Sequence, residues 1–192
     1  MPVTLRLLLV RHGLSSFNRE QRIQGRNDLS TLTVDGQQQA IKTGEAISNL
    51  PIDAVYSSPL KRAASTTSHL LSKCKSNLQP IFDQNLLEIE LGIWSGMSIH
   101  DVKEKFPDIY TIWKTQPEEL VLNREDGTKF KPIQELNNQA QIFLTKLLQN
   151  HSLKNDQTIL IVAHNAILRC IILQLLGNPK QAFRRIKLDN AS

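Results

Sequence analysis

The chain has 192 residues, 40% of them hydrophobic and 21% charged, with a formal net charge of +5. That is long enough to bury a real core and too apolar for intrinsic disorder. The mildly basic balance suits an acidic ligand. With no long basic stripe and only 5% aromatic residues, it argues against nucleic acid. The densest basic cluster, Arg184, Arg185 and Lys187, reads as a solvated face. Two cysteines, Cys74 and Cys170, outside any CxxC, exclude a disulfide framework or a cysteine zinc site and fit a reducing cytoplasm. The N-terminus lacks a signal-peptide pattern, and the apolar run Leu7 to Val10 is too short for a membrane span.

In chain order, Leu5 to Val10 is a short apolar run ended by a glycine turn, which predicts a buried parallel strand. A helix is predicted over Thr33 to Leu50, stopping before Pro51, and a second strand over Asp53 to Ser57. Ser58-Pro59 reads as an N-cap with proline at the first helical position, opening a helix to about Ser72. Pro80 to Phe82 is a candidate strand. Ser98 to Asp101 resembles a capping box before a short helix ending near Phe106-Pro107. Residues 83–97 and 107–132 read as long irregular stretches, of the kind that cover active sites. Leu136, Ala140, Phe143, Leu144 and Leu147 have the spacing of one helical face. Thr158 to Ala163 is the clearest strand, followed by an apolar helix from Asn165 to Leu176 with Gly177 as its stop. The alternation predicts an α/β protein, a three-layer α/β/α sandwich with a mainly parallel sheet.

Open α/β sheets bind ligands at the carboxyl ends of their strands. Arg11-His12-Gly13 follows the first predicted strand, Ser58 to Arg62 the second, Glu88 the candidate third, and His164-Asn165 the last. Two histidines, two arginines and a carboxylate are thus expected on one edge. Arginine forks match phosphate oxygens, a histidine can attack phosphorus, a second histidine can stabilise charge, and a carboxylic acid can protonate a leaving oxygen. There is no Gly-rich phosphate loop and no carboxylate cluster suited to Mg²⁺.

These residues resemble the histidine phosphatase superfamily, the phosphoglycerate mutase-like family. The similar stretches are Leu8 to Gly13 with Asn18, then Gln24-Gly25, Leu32-Thr33, Gly36 and Gln39-Ala40. They continue with Ser57 to Ala63 and Thr66, Leu87 to Gly96, Val162 to Asn165, and Arg169. The resemblance implies a phosphoglycerate mutase-like sandwich in which His12 accepts the phosphoryl group and Glu88 donates the proton. Arg11, Asn18, Arg62 and His164 bind phosphate, and no metal takes part. Leu14 and Ser95 stand where the family often has acidic residues, and the proline that often precedes Leu32-Thr33 is missing. These departures bear on substrate identity and leave the phosphoryl-transfer set intact.

The expected activity is a metal-independent phosphatase acting on small phosphomonoesters through phosphohistidine, in the cytoplasm, without nucleic-acid or membrane partners. One alternative is a phosphoglycerate mutase, an isomerase needing 2,3-bisphosphoglycerate. Against it, the 107–132 segment sets Lys114, Arg124, Lys129 and Lys131 against Asp108, Glu118, Glu119, Glu125 and Asp126, a poor trap for a triply charged cofactor. The other alternative is a phosphate-binding regulatory module without turnover. In the family, a segment like Leu188 to Ser192 opens a late strand. The chain therefore reads as a single domain, 1–192, with a truncated or shortened C-terminal end. It is similar to the first module of cyanobacterial two-module members of the family. An uncovered sheet edge and a tendency to dimerise are the expected consequences.

Overall fold

The computed structural model describes residues 4–74, 77–124, 126–151, 155–177 and 182–192. Four strands form the main sheet: β1 (Leu5–Arg11), β2 (Ala54–Ser57), β3 (Ile81–Phe82) and β6 (Gln157–Ala163). Their order is β1-β6-β2-β3 and every pairing is parallel. Side chains alternate across β6. Ile159, Ile161 and Ala163 enter one core, while Leu160 and Val162 enter another with Val10, Val55 and Leu70. Burial on both faces is why β6 reads as a continuous apolar run.

Helices α2 (Val34–Ile47) and α3 (Lys61–Leu71) pack together over the smaller core. Helices α6 (Pro132–Asn150) and α7 (Asn165–Leu175) pack together over the larger one, with Leu136, Ala140, Phe143 and Leu147 of α6 buried as their spacing predicts. The three-layer sandwich with a parallel sheet is therefore present.

Three local expectations need correction. The first concerns α3, which begins at Lys61 after Leu60, with no side-chain cap. Ser58 lies two residues upstream and its hydroxyl is used elsewhere, as shown below. The second concerns residues 107–132, which are not irregular throughout. They hold α5 (Pro107–Thr115), reached after α4 (Ile99–Lys105), and a small hairpin of β4 (Leu122–Asn123) and β5 (Lys129–Phe130). The third concerns Leu188 to Ser192, which form no strand. The segment turns at Ala191, whose φ is +53°. The Ala191 N–H donates to the Arg11 carbonyl (2.9 Å) and the Arg11 N–H to the Ser192 carbonyl (3.3 Å).

Ser98 caps α4 as expected, its hydroxyl accepting from the Asp101 N–H (3.0 Å), but the Asp101 carboxylate accepts from that same hydroxyl (2.7 Å), so the reciprocal half of a capping box is not made there. A further helical turn, α1 (Ser16–Arg19), is capped by Ser15. Among the described residues, no helix is long and apolar enough to cross a membrane.

Candidate active site

The sheet places His12, Ser58 and His164 one residue past β1, β2 and β6. The His12 N–H donates to the Ala163 carbonyl (2.9 Å) and the Ser58 N–H to the Val162 carbonyl (2.9 Å), so the parallel ladder runs one residue beyond β1 and β2. His12 and His164 meet across that edge, ring centroids 5.2 Å apart. Both are buried, at 2% and 0% exposure.

Local bonds set the state of each ring. His12 Nδ1 lies 2.8 Å from its neighbour's carbonyl, that of Gly13, which can only accept. The proton therefore sits on Nδ1, and the Nε2 lone pair is free to attack. Burial, with Arg62 and then Arg11 nearby, pulls the His12 pKa down to about 3. The ring is neutral and nucleophilic throughout the ordinary pH range. His164 Nε2 lies 2.7 Å from the Ser58 hydroxyl, and its Nδ1 is buried without a partner. Burial and the same cations hold its pKa well below the usual value. Burial thus disfavours the protonated form of His164 that stabilising a phosphoryl charge calls for. A dianion placed there works in the opposite direction and favours the imidazolium.

The two arginines are fixed by backbone carbonyls. Arg62, 1% exposed, donates from Nη1 to the Asn27 carbonyl (2.9 Å) and from Nη2 to the Gly25 carbonyl (2.8 Å). Gly25 takes φ +50° to present that oxygen. Arg11 donates from Nη1 to the Leu188 carbonyl (2.8 Å). The Nε atoms of both are buried and unpartnered, as is His164 Nδ1. Buried donors are normally satisfied, so three orphans on one edge suit an oxyanion ligand. Burial opposes the charge on both arginines, and Glu88 supports it.

Glu88 reaches this edge from the loop after β3. Its Oε1 accepts from the N–H groups of Ala166 (3.1 Å), Ile167 (3.3 Å) and Ile89 (2.9 Å). It therefore caps α7, which has no side-chain cap of its own. The loop is pinned by Gln139 Nε2, which donates to the Leu87 carbonyl (2.7 Å), and by Arg26 Nε, which donates to that of Glu88 (3.2 Å). Asn18 accepts at Oδ1 from the Ser15 hydroxyl (2.9 Å) and from Asn190 Nδ2 (3.3 Å). That leaves its NH₂ end for a ligand. All six residues expected from the sequence thus share one edge of the sheet or the loops around it. Among the described residues, no group of three or more His, Cys, Asp or Glu side chains is placed to hold a metal.

Sequence reasoning missed two contributors. Ser58, the partner of His164, was read as a helix cap. Asn190 donates to both the His12 carbonyl (3.0 Å) and Asn18, from a segment read as the start of a strand. Neither contact has a local signal, since each joins residues more than a hundred positions apart.

The family model of the histidine phosphatase superfamily (branch 1) matches residues 7–192. The chain belongs to the histidine phosphatase superfamily. It is 31% identical to phosphoserine phosphatase 1 of Hydrogenobacter thermophilus, over 98% of this chain and 84% of that one. It is 33% identical to a protein of Salmonella paratyphi A named "Probable phosphoglycerate mutase GpmB", over 98% and 82%. A 2-carboxy-D-arabinitol-1-phosphatase of Triticum aestivum is 32% identical over 96% of this chain, which spans about a third (35%) of that relative's length. YhfR of Bacillus stearothermophilus shares the fold, with a TM-score of 0.85 at 23% identity, over 98% of this chain and 88% of that one. Superfamily membership makes this chain an enzyme of the class that acts on phosphomonoesters, phosphatases and mutases both being among its relatives.

Proposed function

We propose that the chain is a phosphomonoesterase working through phosphohistidine at His12. The observation that carries this reading is the neutral, Nδ1-protonated His12 facing two arginines and His164 whose buried donors lack partners. The His12 Nε2 lone pair attacks phosphorus in line, and the bond from phosphorus to the leaving oxygen breaks. Arg11, Arg62, Asn18 and His164 hold the equatorial oxygens, with His164 gaining its proton as the dianion enters. Glu88, entering the step protonated, gives its proton to the departing alkoxide. As a carboxylate it then takes one from water, whose oxygen attacks the phosphohistidine and frees His12. Positioning and electrostatics supply most of the acceleration, as in phosphoryl transfer generally.

No metal has a part in this scheme. Two free thiols, Cys74 and Cys170, fit a cytoplasmic setting, and the partner is a small phosphorylated metabolite. The mutase-named relative keeps a second reading in view, for which 2,3-bisphosphoglycerate is the required addition.

The test is phosphate release from p-nitrophenyl phosphate and from a panel of metabolite phosphomonoesters, in EDTA, with and without 2,3-bisphosphoglycerate. Turnover in EDTA is expected, together with an acid-labile, base-stable radiolabel on the quenched protein that His12→Ala removes. Retention of more than about a tenth of the activity by His12→Ala would exclude the covalent route. Isomerisation of phosphoglycerate without net release would favour the mutase.

A further inference from the structure

Two arginines beside the site have no role in this scheme. Arg169 lies on α7, a turn beyond Ala166, whose amide holds Glu88. Its guanidinium stands 5.3 Å from the centre of the Phe183 ring. Arg184 stands 4.2 Å from the centre of the Trp113 ring and donates from Nη2 to the Trp113 carbonyl. The two rings are 6.3 Å apart, so the arginines flank one aromatic pair. The expectation that Arg184, Arg185 and Lys187 form a solvated face holds for Arg185 and Lys187, which are exposed, but not for Arg184, which is half-buried.

Both side chains leave a buried donor unsatisfied. The Nε atoms of Arg169 and Arg184 are buried and unpartnered. Neither forms an ion pair among the described residues, whereas Arg124, equally half-buried, pairs with Glu90 and Glu135. Burial opposes both charges; Glu88 supports that of Arg169, while Arg169 opposes and Tyr110 and Glu118 support that of Arg184, neither glutamate lying within ion-pair distance. A buried guanidinium N–H left without an acceptor is costly unless a ligand completes it. Arg169 lies on the Glu88 side of the site, toward which the leaving group departs.

We propose that Arg169 and Arg184 form a subsite for a second anionic group, a carboxylate or another phosphoryl, on the leaving portion of the substrate. The substrate class is then phosphorylated acids rather than phosphates of neutral alcohols. This rests on the phosphatase reading for the position of the leaving group. Guanidinium forks bind planar oxyanions at two points, and the aromatic pair keeps the two forks in place.

The test uses three ligands on one three-carbon chain: glycerol 3-phosphate, 3-phosphoglycerate and glycerol 1,3-bisphosphate. Their affinities are measured by calorimetry on the full chain carrying His12→Ala, and by competition against p-nitrophenyl phosphate turnover on the unsubstituted chain. At least one doubly anionic ligand is expected to bind about tenfold or more tightly than glycerol 3-phosphate, since one charged hydrogen bond is worth at least that factor. The preferred ligand tells carboxylate from phosphoryl. Arg169→Gln or Arg184→Gln should cut the preference, and the ratio of affinities corrects for any loss of folded protein. A smaller preference in the parent chain, or one that both variants retain, overturns the subsite. Preference without turnover leaves the subsite standing and removes the phosphatase reading. Turnover without preference does the reverse.

Discussion

Glu88 and Glu90 sit two residues apart and meet different surroundings. Glu88 turns to the amides of α7 beside the histidines. Glu90 turns the other way, toward Arg124 (3.2 Å) and Arg26 (3.8 Å), along a cavity of about 580 Å³. Only Glu88 shares the edge of the two histidines, where the proposed mechanism has the leaving oxygen depart. Replacing it with Gln keeps the shape and removes the transferable proton. Alkyl phosphates, whose alkoxides need that proton, should lose about 10²–10⁴-fold in rate, and p-nitrophenyl phosphate much less. Equal losses for both substrate types would take the acid role away from Glu88. The six expected residues were legible because each stands just past an apolar strand or inside a specific motif. The state of the rings was not, because it depends on the neighbouring Gly13 carbonyl, on burial, and on a Ser58–His164 contact spanning 106 positions.

At the scale of elements, two glycines let the loop after His12 approach α2 closely. A Cβ on Gly36 would stand 2.1 Å from the Leu14 carbonyl oxygen, and one on Gly13 2.4 Å from that of Gly36. Alanine is ordinarily the better helix former by about 1 kcal/mol. At Gly36 the obstacle is backbone that must move, so the steric term decides. Gly36→Ala should destabilise by roughly 1–3 kcal/mol and lower kcat, because the displaced loop follows directly on His12 and carries the carbonyl that fixes its tautomer. A higher melting temperature with unchanged kcat would contradict this packing. Strands β2 and β6 were legible as apolar runs buried on both faces, and β1 as a half-buried one, whereas both residues of β3 are exposed. Helix α5 was not, because it buries no residue completely and begins and ends near prolines. Pro107 at its first position was the available signal. The outer edge of β1 shows the same limit. Among the described residues it is met only near Arg11, by backbone bonds with Ala191 and Ser192. A partly open edge of this kind recruits another strand, so apparent mass in light scattering should rise with protein concentration. A monomer at every concentration would mean the edge is adequately protected.

For the molecule as a whole, two neutral buried histidines tie folding to pH. His12 has its pKa lowered from 6.5 to about 3 in the fold, and that of His164 is lowered well below 6.5. Between those limits the unfolded chain binds protons that the folded chain refuses. Stability is therefore fully present above about pH 6.5 and falls as the pH drops toward 3. The slope is about 1.4 kcal/mol per pH unit for each histidine. For His12 alone the whole window amounts to roughly 5 kcal/mol, comparable with the entire stability of many domains. The lowered pKa of Asp83, which is paired with Lys146, adds its own loss only below its ordinary value of 3.8, so the range from about 6.5 to 4.5 reports on the histidines. Urea unfolding across that range should show stability falling with acid, and His12→Ala should flatten the slope by about one proton. Saturating inorganic phosphate should flatten it too, because an anion between the rings stabilises the imidazolium in the fold. A pH-independent unfolding free energy between 6.5 and 4.5 would mean that the rings are hydrated or charged in solution, and the neutral nucleophile would lose its basis.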